Sequence, residues 1–293
     1  MTRPRARIIW IVAKREYLER VRTRAFVIMT AFTPALVVTL VTLPVILGER
    51  AIHGTAAAPT AMVGAALVAS LMVLVLFMSV LSWGVMVMRG VLEEKSSRVT
   101  ELLLCSASAD ELMSGKITGI GAAGLTQVAV WIAFAAIAAA NSPAAQSAFA
   151  AVHSRAAALA AFVVFYILGY ALYSAIFAAM GAAFNSVDEA QQYTFIALLP
   201  LLAATVLITP VLTAPHSTLA IVTSMIPFVS PVLMFARIAM VQVPAWQVIL
   251  CVLLLAITVG LAIEVCARIY RVGILMYGKR PSLRVMMRWL SYT

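Results

Sequence analysis

A short connector between two membrane-length apolar stretches concentrates charged side chains that could bind a partner. The charges of residues 90–116 are Glu93, Glu94, Lys95, Arg98, Glu101, Asp110, Glu111 and Lys116. In a helix, Arg98 lies four residues after Glu94 and three before Glu101, so these side chains can form ion pairs along one exposed face. Valine and leucine residues fall on another face. Such an amphipathic helix is suited to dock a soluble partner; the alternative is a solvated loop that only links two spans.

Two shorter polar segments also carry interpretable patterns. Ser108 and Glu111 have the spacing of a capping box, which predicts that a helix begins here, at the mouth of the third span. In residues 185–192 the charge is carried by Asp188 and Glu189, and we expect a short acidic loop on the same side of the membrane as the connector.

The sequence lacks the motifs that would give this chain catalytic chemistry of its own. The phosphate-binding loop Gly-x4-Gly-Lys-Ser/Thr does not occur in the chain, and the residues around Lys116 lack both the upstream glycine and the hydroxyl side chain. Neither a His-Glu-x-x-His zinc motif nor a Gly-x-Ser-x-Gly nucleophile turn occurs. His53, His153 and His216 fall in three separate predicted loops. We therefore predict no catalytic residue, no metal ligand and no cofactor bound by this chain.

The composition indicates the class of protein that must position these residues. The chain has 293 residues, of which 64% are hydrophobic and 11% are charged. These proportions exclude a soluble globular domain and predict an all-α polytopic membrane protein. The formal net charge is +10. Because the cations lie beside apolar stretches, we expect anionic lipid headgroups, not nucleic acid, as their counter-charge.

Stretches long enough to cross a ~30 Å hydrocarbon core, without charge except for Glu264 near the inner end of the sixth, predict six transmembrane helices. They are residues 25–48, 61–88, 117–140, 157–184, 191–212 and 245–267. With six spans, 18 of the 21 Lys and Arg residues lie on the side of both termini, and only Arg50, Arg155 and Arg237 lie on the other. The positive-inside rule therefore predicts that both termini are cytoplasmic.

Four segments outside the spans complete one transmembrane domain over residues 1–293. They are an interfacial helix at 1–24, a connector helix at 90–113, a re-entrant segment at 214–243 and a cytoplasmic tail at 268–293. In the interfacial helix, Arg15 can pair with Glu19 and Glu16 with Arg20, each four residues apart. Its aromatic residues and cations suit the headgroup region of a membrane.

The re-entrant segment is expected to enter and leave on the outer side. Pro227 and Pro231 break its helices, and Arg237 lies where the segment returns. Ion-driven carriers usually need ionisable residues near the middle of the membrane, and the predicted spans hold none there. The energy for any transport is therefore expected to come from another chain.

Five sequence blocks resemble the permease subunits of type-2 ABC exporters, and the branch they resemble most is that of the sodium-efflux permeases. The blocks are residues 13–20, 90–104, 112–116, 226–231 and 270–279. They occur in the expected order over nearly the whole chain. The chain departs from many relatives in that branch at residues 49–60, where those relatives carry a folded outer domain.

The resemblance implies a function, partners and site residues. The chain would be a permease subunit that moves substrate outward as a dimer, with itself or a paralogue, in the plasma membrane of a prokaryote. Separate cytoplasmic ATPase subunits would bind ATP and Mg²⁺, and the interfacial helix would be an elbow helix that helps hold them. The implied ATPase-coupling residues are Glu93, Glu94, Arg98, Glu101, Lys116, Asp188 and Glu189, and the implied gate residues are Pro227, Pro231 and Arg237.

Two other functions remain open from the sequence. One is a membrane protein of assembly or signalling that transports nothing, and the other is a carrier driven by an ion gradient. Co-purification of an ATPase would distinguish the exporter from both alternatives. The sequence does not assign the substrate, and it does not distinguish a homodimer from a heterodimer.

Overall fold

The computed structural model describes residues 5–34, 57–97, 107–141 and 155–274, and the single positions 36, 39 and 146. These residues form helices joined by turns, and none of them is in a strand. The helices are α1 (Arg5–Val21), α2 (24–34), α3 (Ala57–Ser96), α4 (Ala109–Asn141), α5 (Arg155–Ala183), α6 (Val187–Thr213), α7 (Thr218–Met225), α8 (Ser230–Met240) and α9 (Ala245–Gly273). The predicted all-α fold class is confirmed over this part of the chain.

Five helices contain segments that are long and apolar enough to cross a membrane. The segments are Ala69–Ser96, Ala109–Ala138, Ala156–Ala183, Val187–Thr213 and Ala245–Gly273. They correspond to the second to sixth predicted spans. The first predicted span, 25–48, is described only at residues 25–34, 36 and 39, so the total of six spans stays a prediction.

Helices α3 and α5 form the centre of the bundle, and α8 and α9 also pack against α5. Gly84 in α3 leaves room for the ring of Phe177 in α5, because a Cβ at Gly84 would lie 2.7 Å from that ring. A Cβ at Gly181 would lie 2.6 Å from the main-chain oxygen of Met88. In lipid, helices are held together by close packing rather than by expulsion of water, and these small residues permit it.

Only the two ends of the predicted connector helix at 90–113 lie in the described part of the chain. Residues 90–96 continue α3, residues 98–106 lie outside the described part of the chain, and α4 begins at Ala109. The capping box that precedes α4 is confirmed. The main-chain N–H of Ser108 donates to Glu111 Oε2 at 2.8 Å, and the main-chain N–H of Glu111 donates to Ser108 Oγ at 3.3 Å. We call the end of the bundle where α3 ends and α4 begins the connector end.

Helices α7 and α8 form a short hairpin between α6 and α9. Its turn contains Pro227, and Pro231 lies in the first turn of α8, so both prolines lie at the break between the two helices. The Tyr173 hydroxyl donates to the main-chain oxygen of Phe228 at 2.7 Å. Because Tyr173 lies past the midpoint of α5, the turn of the hairpin reaches deep into the bundle.

Candidate functional site

Side chains from three helices form one group of ion pairs at the connector end. The Nζ of Lys116 in α4 lies 2.7 Å from Glu16 Oε1 in α1 and 3.1 Å from Glu94 Oε1 in α3. The guanidinium of Arg15 donates to Glu16 Oε1 at 2.9 Å and also contacts Glu94. We call Arg15, Glu16, Glu94 and Lys116 the charge cluster. It joins α1, α3 and α4, which are far apart in the sequence.

Two glycines in α4 allow α1 to come close enough for these contacts. A Cβ at Gly115 would lie 2.6 Å from the Cβ of Val12, and a Cβ at Gly119 would overlap the main-chain oxygen of Ala13. Residues four apart lie on one face of a helix, so both glycines face α1. Lys116 directly follows Gly115 and can therefore reach the carboxylate of Glu16.

The charge cluster is largely shielded from solvent. Glu16 and Lys116 are 2% and 3% exposed, whereas Arg15 is 40% exposed. Burial alone would raise the pKa of the Glu16 carboxyl, but Lys116 and Arg15 outweigh burial and hold this pKa below its ordinary value. Burial likewise opposes the positive charge of Arg15, yet contacts with Glu16 and Glu94 raise the pKa of its guanidinium. Each charge thus depends on its partners, because an uncompensated buried charge is strongly destabilising.

Lys95, the residue after Glu94, makes a second set of contacts at the connector end. Lys95 is 2% exposed. Its Nζ donates to the main-chain oxygens of Ala182 at 2.6 Å, Phe184 at 3.2 Å and Gly273 at 2.8 Å. The last carbonyl groups of a helix lack partners within the helix and carry partial negative charge, so a cation is favourable there. Lys95 therefore holds the ends of α5 and α9 against the end of α3.

Exposed charges surround these buried contacts. Asp110 in the first turn of α4 lies 3.0 Å from Arg271 near the end of α9, and both side chains are about half exposed. Arg15 also lies 3.6 Å from Glu19, as the sequence predicts. Exposed pairs of this kind contribute about 0–1 kcal/mol. Within the described ranges, no three His, Cys, Asp or Glu side chains come together in a way that could hold a metal ion.

The structure places two of the predicted coupling residues, Glu94 and Lys116, in direct contact. Glu93 lies next to Glu94 but is exposed to solvent. Arg98 and Glu101 lie outside the described residues, so their predicted ion pairs stay predictions.

The two remaining predicted coupling residues belong to α6. Asp188 and Glu189 lie in its first turn, where Asp188 is exposed and Glu189 half-buried. The predicted loop at 185–192 is therefore mostly helical. The reason is a cap: the main-chain N–H of Glu189 donates to Ser186 Oγ at 3.2 Å, which allows α6 to begin at Val187.

Sequence reasoning missed the parts played by Arg15, Glu16 and Lys95. The pairing of Glu16 with Arg20 is wrong, because Glu16 faces α4 and contacts Lys116, while the Arg20 guanidinium lies near Gly90. The glycine spacing in α4 signals a close helix contact, but nothing in the sequence identifies α1 as the partner.

A second buried cation lies where the α7–α8 hairpin meets α9. Arg237 is 1% exposed. Its guanidinium donates to the main-chain oxygen of Pro215 at 3.0 Å, to Ser224 Oγ at 2.9 Å and to Gln247 Oε1 at 2.9 Å. These contacts join α8 to the segment before α7, to α7 itself and to α9. The three predicted gate residues thus all lie in the hairpin, with Arg237 on its returning helix.

The chain matches a family of membrane proteins and two curated relatives. The family described as ABC-2 family transporter protein matches residues 54–263. The chain is 28% identical over 249 residues to the uncharacterized protein YhaP of Bacillus subtilis, across 83% of this chain and 59% of that protein. It is 24% identical over 212 residues to the uncharacterized protein MJ1024 of Methanocaldococcus jannaschii, across 72% of this chain and 51% of that protein.

The chain spans between half and three-fifths of the length of these relatives. The family match, in contrast, covers most of this chain, from before α3 into α9. It includes Glu94, Lys95 and Lys116, although α1 precedes it. The chain therefore belongs to the ABC-2 family of transporter proteins, membrane components of ABC transporters.

Proposed function

We propose that this chain is the membrane-spanning permease subunit of an ABC exporter whose ATP is hydrolysed by a separate cytoplasmic ATPase subunit. Family membership supports a membrane component of an ABC transporter. The single observation that carries the coupling role is the charge cluster, which ties both helices that flank the connector to α1. ATP and Mg²⁺ are bound by the partner, and two permease copies, identical or paralogous, form the transport path.

The charge cluster offers a route for mechanical coupling. Residues 98–106 join the end of α3, which carries Glu94, to the capped start of α4. An ATPase pair that closes on ATP pushes this segment. Because a buried charge that loses its partner is strongly destabilising, α1, α3 and α4 then move together. The bundle rocks, and an outward path opens between the two permease copies.

The proposed orientation puts both termini and the connector in the cytoplasm of a prokaryotic cell, with α1 as the elbow helix at the membrane surface. The distribution of Lys and Arg residues supports it. Cysteines introduced at Ser147 and Ser282 in a cysteine-free background test it in intact cells. An impermeant reagent should label position 147 only, and labelling at position 282 would rule the orientation out.

The α7–α8 hairpin is, in this proposal, the re-entrant element at the outer side. The contact of Tyr173 with the turn at Phe228 supports a hairpin that penetrates the bundle. Replacing Pro227 and Pro231 together with leucine should favour one continuous helix that crosses the membrane. A C-terminal reporter would then appear outside in part of the population, whereas a reporter that stays wholly inside with function intact would contradict the role of the prolines.

Purification of the tagged chain with its partners tests the central proposal. An ATPase with a phosphate-binding loop should co-purify with the wild type. Glu93→Lys tests docking without a change in the charge cluster, because Glu93 is exposed. A change at Glu94 would also disturb the charge cluster, to which Glu94 belongs with 15% of its side chain exposed. Glu264→Lys is the matched control: it makes the same charge change at an exposed site in α9, where Glu264 pairs with Arg268.

The two variants should differ in the amount of ATPase that co-purifies with them. Glu93→Lys should reduce the amount of retained ATPase, and Glu264→Lys should not. If the wild type reproducibly retains no ATPase, the exporter function is wrong, and a membrane protein of assembly or signalling, or an ion-driven carrier, takes its place. The resemblance to sodium-efflux permeases stays a separate prediction, which ATP-dependent uptake of sodium into proteoliposomes whose ATPase subunits face the external buffer would test.

A further inference from the structure

Glu94 and Lys95 are neighbours in the sequence but hold different helices. Glu94 contacts Arg15 and Lys116, and therefore α1 and α4. Lys95 contacts main-chain oxygens at the ends of α5 and α9. Successive side chains of a helix point about 100° apart, so one turn of α3 can hold helices on two of its sides. The end of α3 is thus the place where α1, α4, α5 and α9 are all attached.

We propose that Lys95 is a positioning residue that carries displacement of the connector to α5 and α9, while Glu94 carries it to α1 and α4. The inference rests on the proposed function, since it needs an ATPase that moves the connector. It assigns to Lys95 a role that the charge pattern of the connector does not reveal.

The chemistry of the Lys95 contacts suits this role. A lysine ammonium has three N–H donors, and three main-chain oxygens lie within hydrogen-bond distance of it. Hydrogen bonds from a charged donor are stronger than neutral ones, and a low local dielectric strengthens them further. The ends of α3, α5 and α9 should therefore move as one unit.

Gly273 makes it possible for one ammonium to reach two helix ends. A Cβ at Gly273 would lie 2.9 Å from the main-chain oxygen of Ala182, so the ends of α9 and α5 adjoin. A larger residue would separate the carbonyl groups that Lys95 now binds together. The Lys95 contacts therefore depend both on the end of α3 and on the close approach of α5 and α9.

A distance measurement between α3 and the α5–α6 junction tests the proposal in the complex with the ATPase. Nitroxide labels at Ser97 and Val187, both exposed, are introduced in a background whose native cysteines are replaced by alanine. Pulsed electron paramagnetic resonance is recorded on complexes assembled with an excess of unlabelled permease, so that a complex holds at most one labelled copy, without nucleotide and with Mg²⁺ and a non-hydrolysable ATP analogue. The label pair should keep one distance in both states, because Lys95 holds the two helix ends together.

Lys95→Met should lose this constraint. With the analogue bound, a second, longer distance should appear that is absent from the wild type. Lys95→Arg keeps a cation and should restore the single distance. Lys14→Met, at an exposed position of α1, is the control and should behave as the wild type.

Two results would overturn the role of Lys95 without touching the proposed function. One is a wild-type distance that changes when the analogue binds. This measurement uses the wild type alone and does not depend on whether a variant folds. The other is a Lys95→Met complex that keeps one distance in both states. Failure of the wild type to retain any ATPase is a different result, because it refutes the exporter function itself and the inference with it.

Discussion

Loss of the Lys116 ammonium should destabilise the chain more than loss of the Glu16 carboxylate, although the two groups form one ion pair. Lys116 contacts both Glu16, at 2.7 Å, and Glu94, at 3.1 Å. Lys116→Met therefore leaves two shielded carboxylates that share the guanidinium of Arg15. Removal of one partner from a buried pair costs about 3–5 kcal/mol of unfolding free energy, and we expect Lys116→Met to fall in this range.

Glu16→Gln should be milder for a structural reason. After this change Lys116 keeps its contact with Glu94, so its charge is still compensated. The loss is then that of hydrogen bonds to a charged group, about 1.5–3 kcal/mol. In the double variant the second substitution removes one of the two carboxylates that Lys116→Met leaves behind. The double variant should therefore cost less than the sum of the single variants, by about 0.5–3 kcal/mol.

Unfolding of the purified chain by sodium dodecyl sulfate in mixed micelles, followed by circular dichroism, measures the wild type and the three variants of this cycle. Lys14→Met is the control, because Lys14 is an exposed lysine of α1 and should change the unfolding free energy by less than about 0.5 kcal/mol. Additive costs, or a larger cost for Glu16→Gln than for Lys116→Met, would show that the charge cluster is not the interdependent unit described above.

Three further changes probe the same structure by the same unfolding measurement. Because the folded-state pKa of Glu16 lies below the ordinary 4.5, the stabilisation by its carboxylate is fully present above about pH 4.5 and is lost as the pH falls through the folded-state pKa. The unfolding free energy of the wild type should therefore approach that of Glu16→Gln only in this acid range. Loss of the difference already near neutral pH would contradict this assignment. Gly119→Ala should cost about 1–3 kcal/mol by overpacking against α1, whereas Gly260→Ala, which meets nothing within 4 Å, should be neutral or stabilising, and equal effects would refute the close contact. Arg237→Gln should cost about 1–3 kcal/mol because it leaves buried acceptors of the hairpin unpaired; an unchanged unfolding free energy would show that the hairpin is held in another way.

Sequence reasoning succeeds in this chain where the determining interaction is local. The capping box of Ser108 and Glu111 spans three residues, so its geometry follows from the sequence alone. The apolar helices follow equally from length and hydropathy, because a membrane crossing imposes both. Even the pair of Arg15 and Glu19 is a local contact on one helix face.

The failures concern contacts between distant parts of the chain. Glu16 could pair with Arg20 on its own helix, but it contacts Lys116 instead, 100 residues away. The choice depends on which helix the glycine face of α4 meets, and sequence periodicity carries no information on that. The Lys95 contacts are even harder to predict from the sequence, because their acceptors are main-chain oxygens, which every residue has.

The burial of the charges divides the predicted coupling residues into two kinds. Glu94 and Lys116 are shielded and bind each other, so their charges are compensated within the chain and they suit the transmission of force. Glu93 and Asp188 are exposed at the connector end, and their charges are available to a partner. Charges that bind a partner must be exposed to solvent before the partner binds, and exposed ion pairs within the chain are weak. Charges that hold helices together must be buried, because their contacts are stronger where the local dielectric is low. Both kinds of residue lie at the connector end, and Glu93 and Glu94 are adjacent in the sequence. This arrangement suits a chain that receives motion from a soluble ATPase and passes it into the membrane.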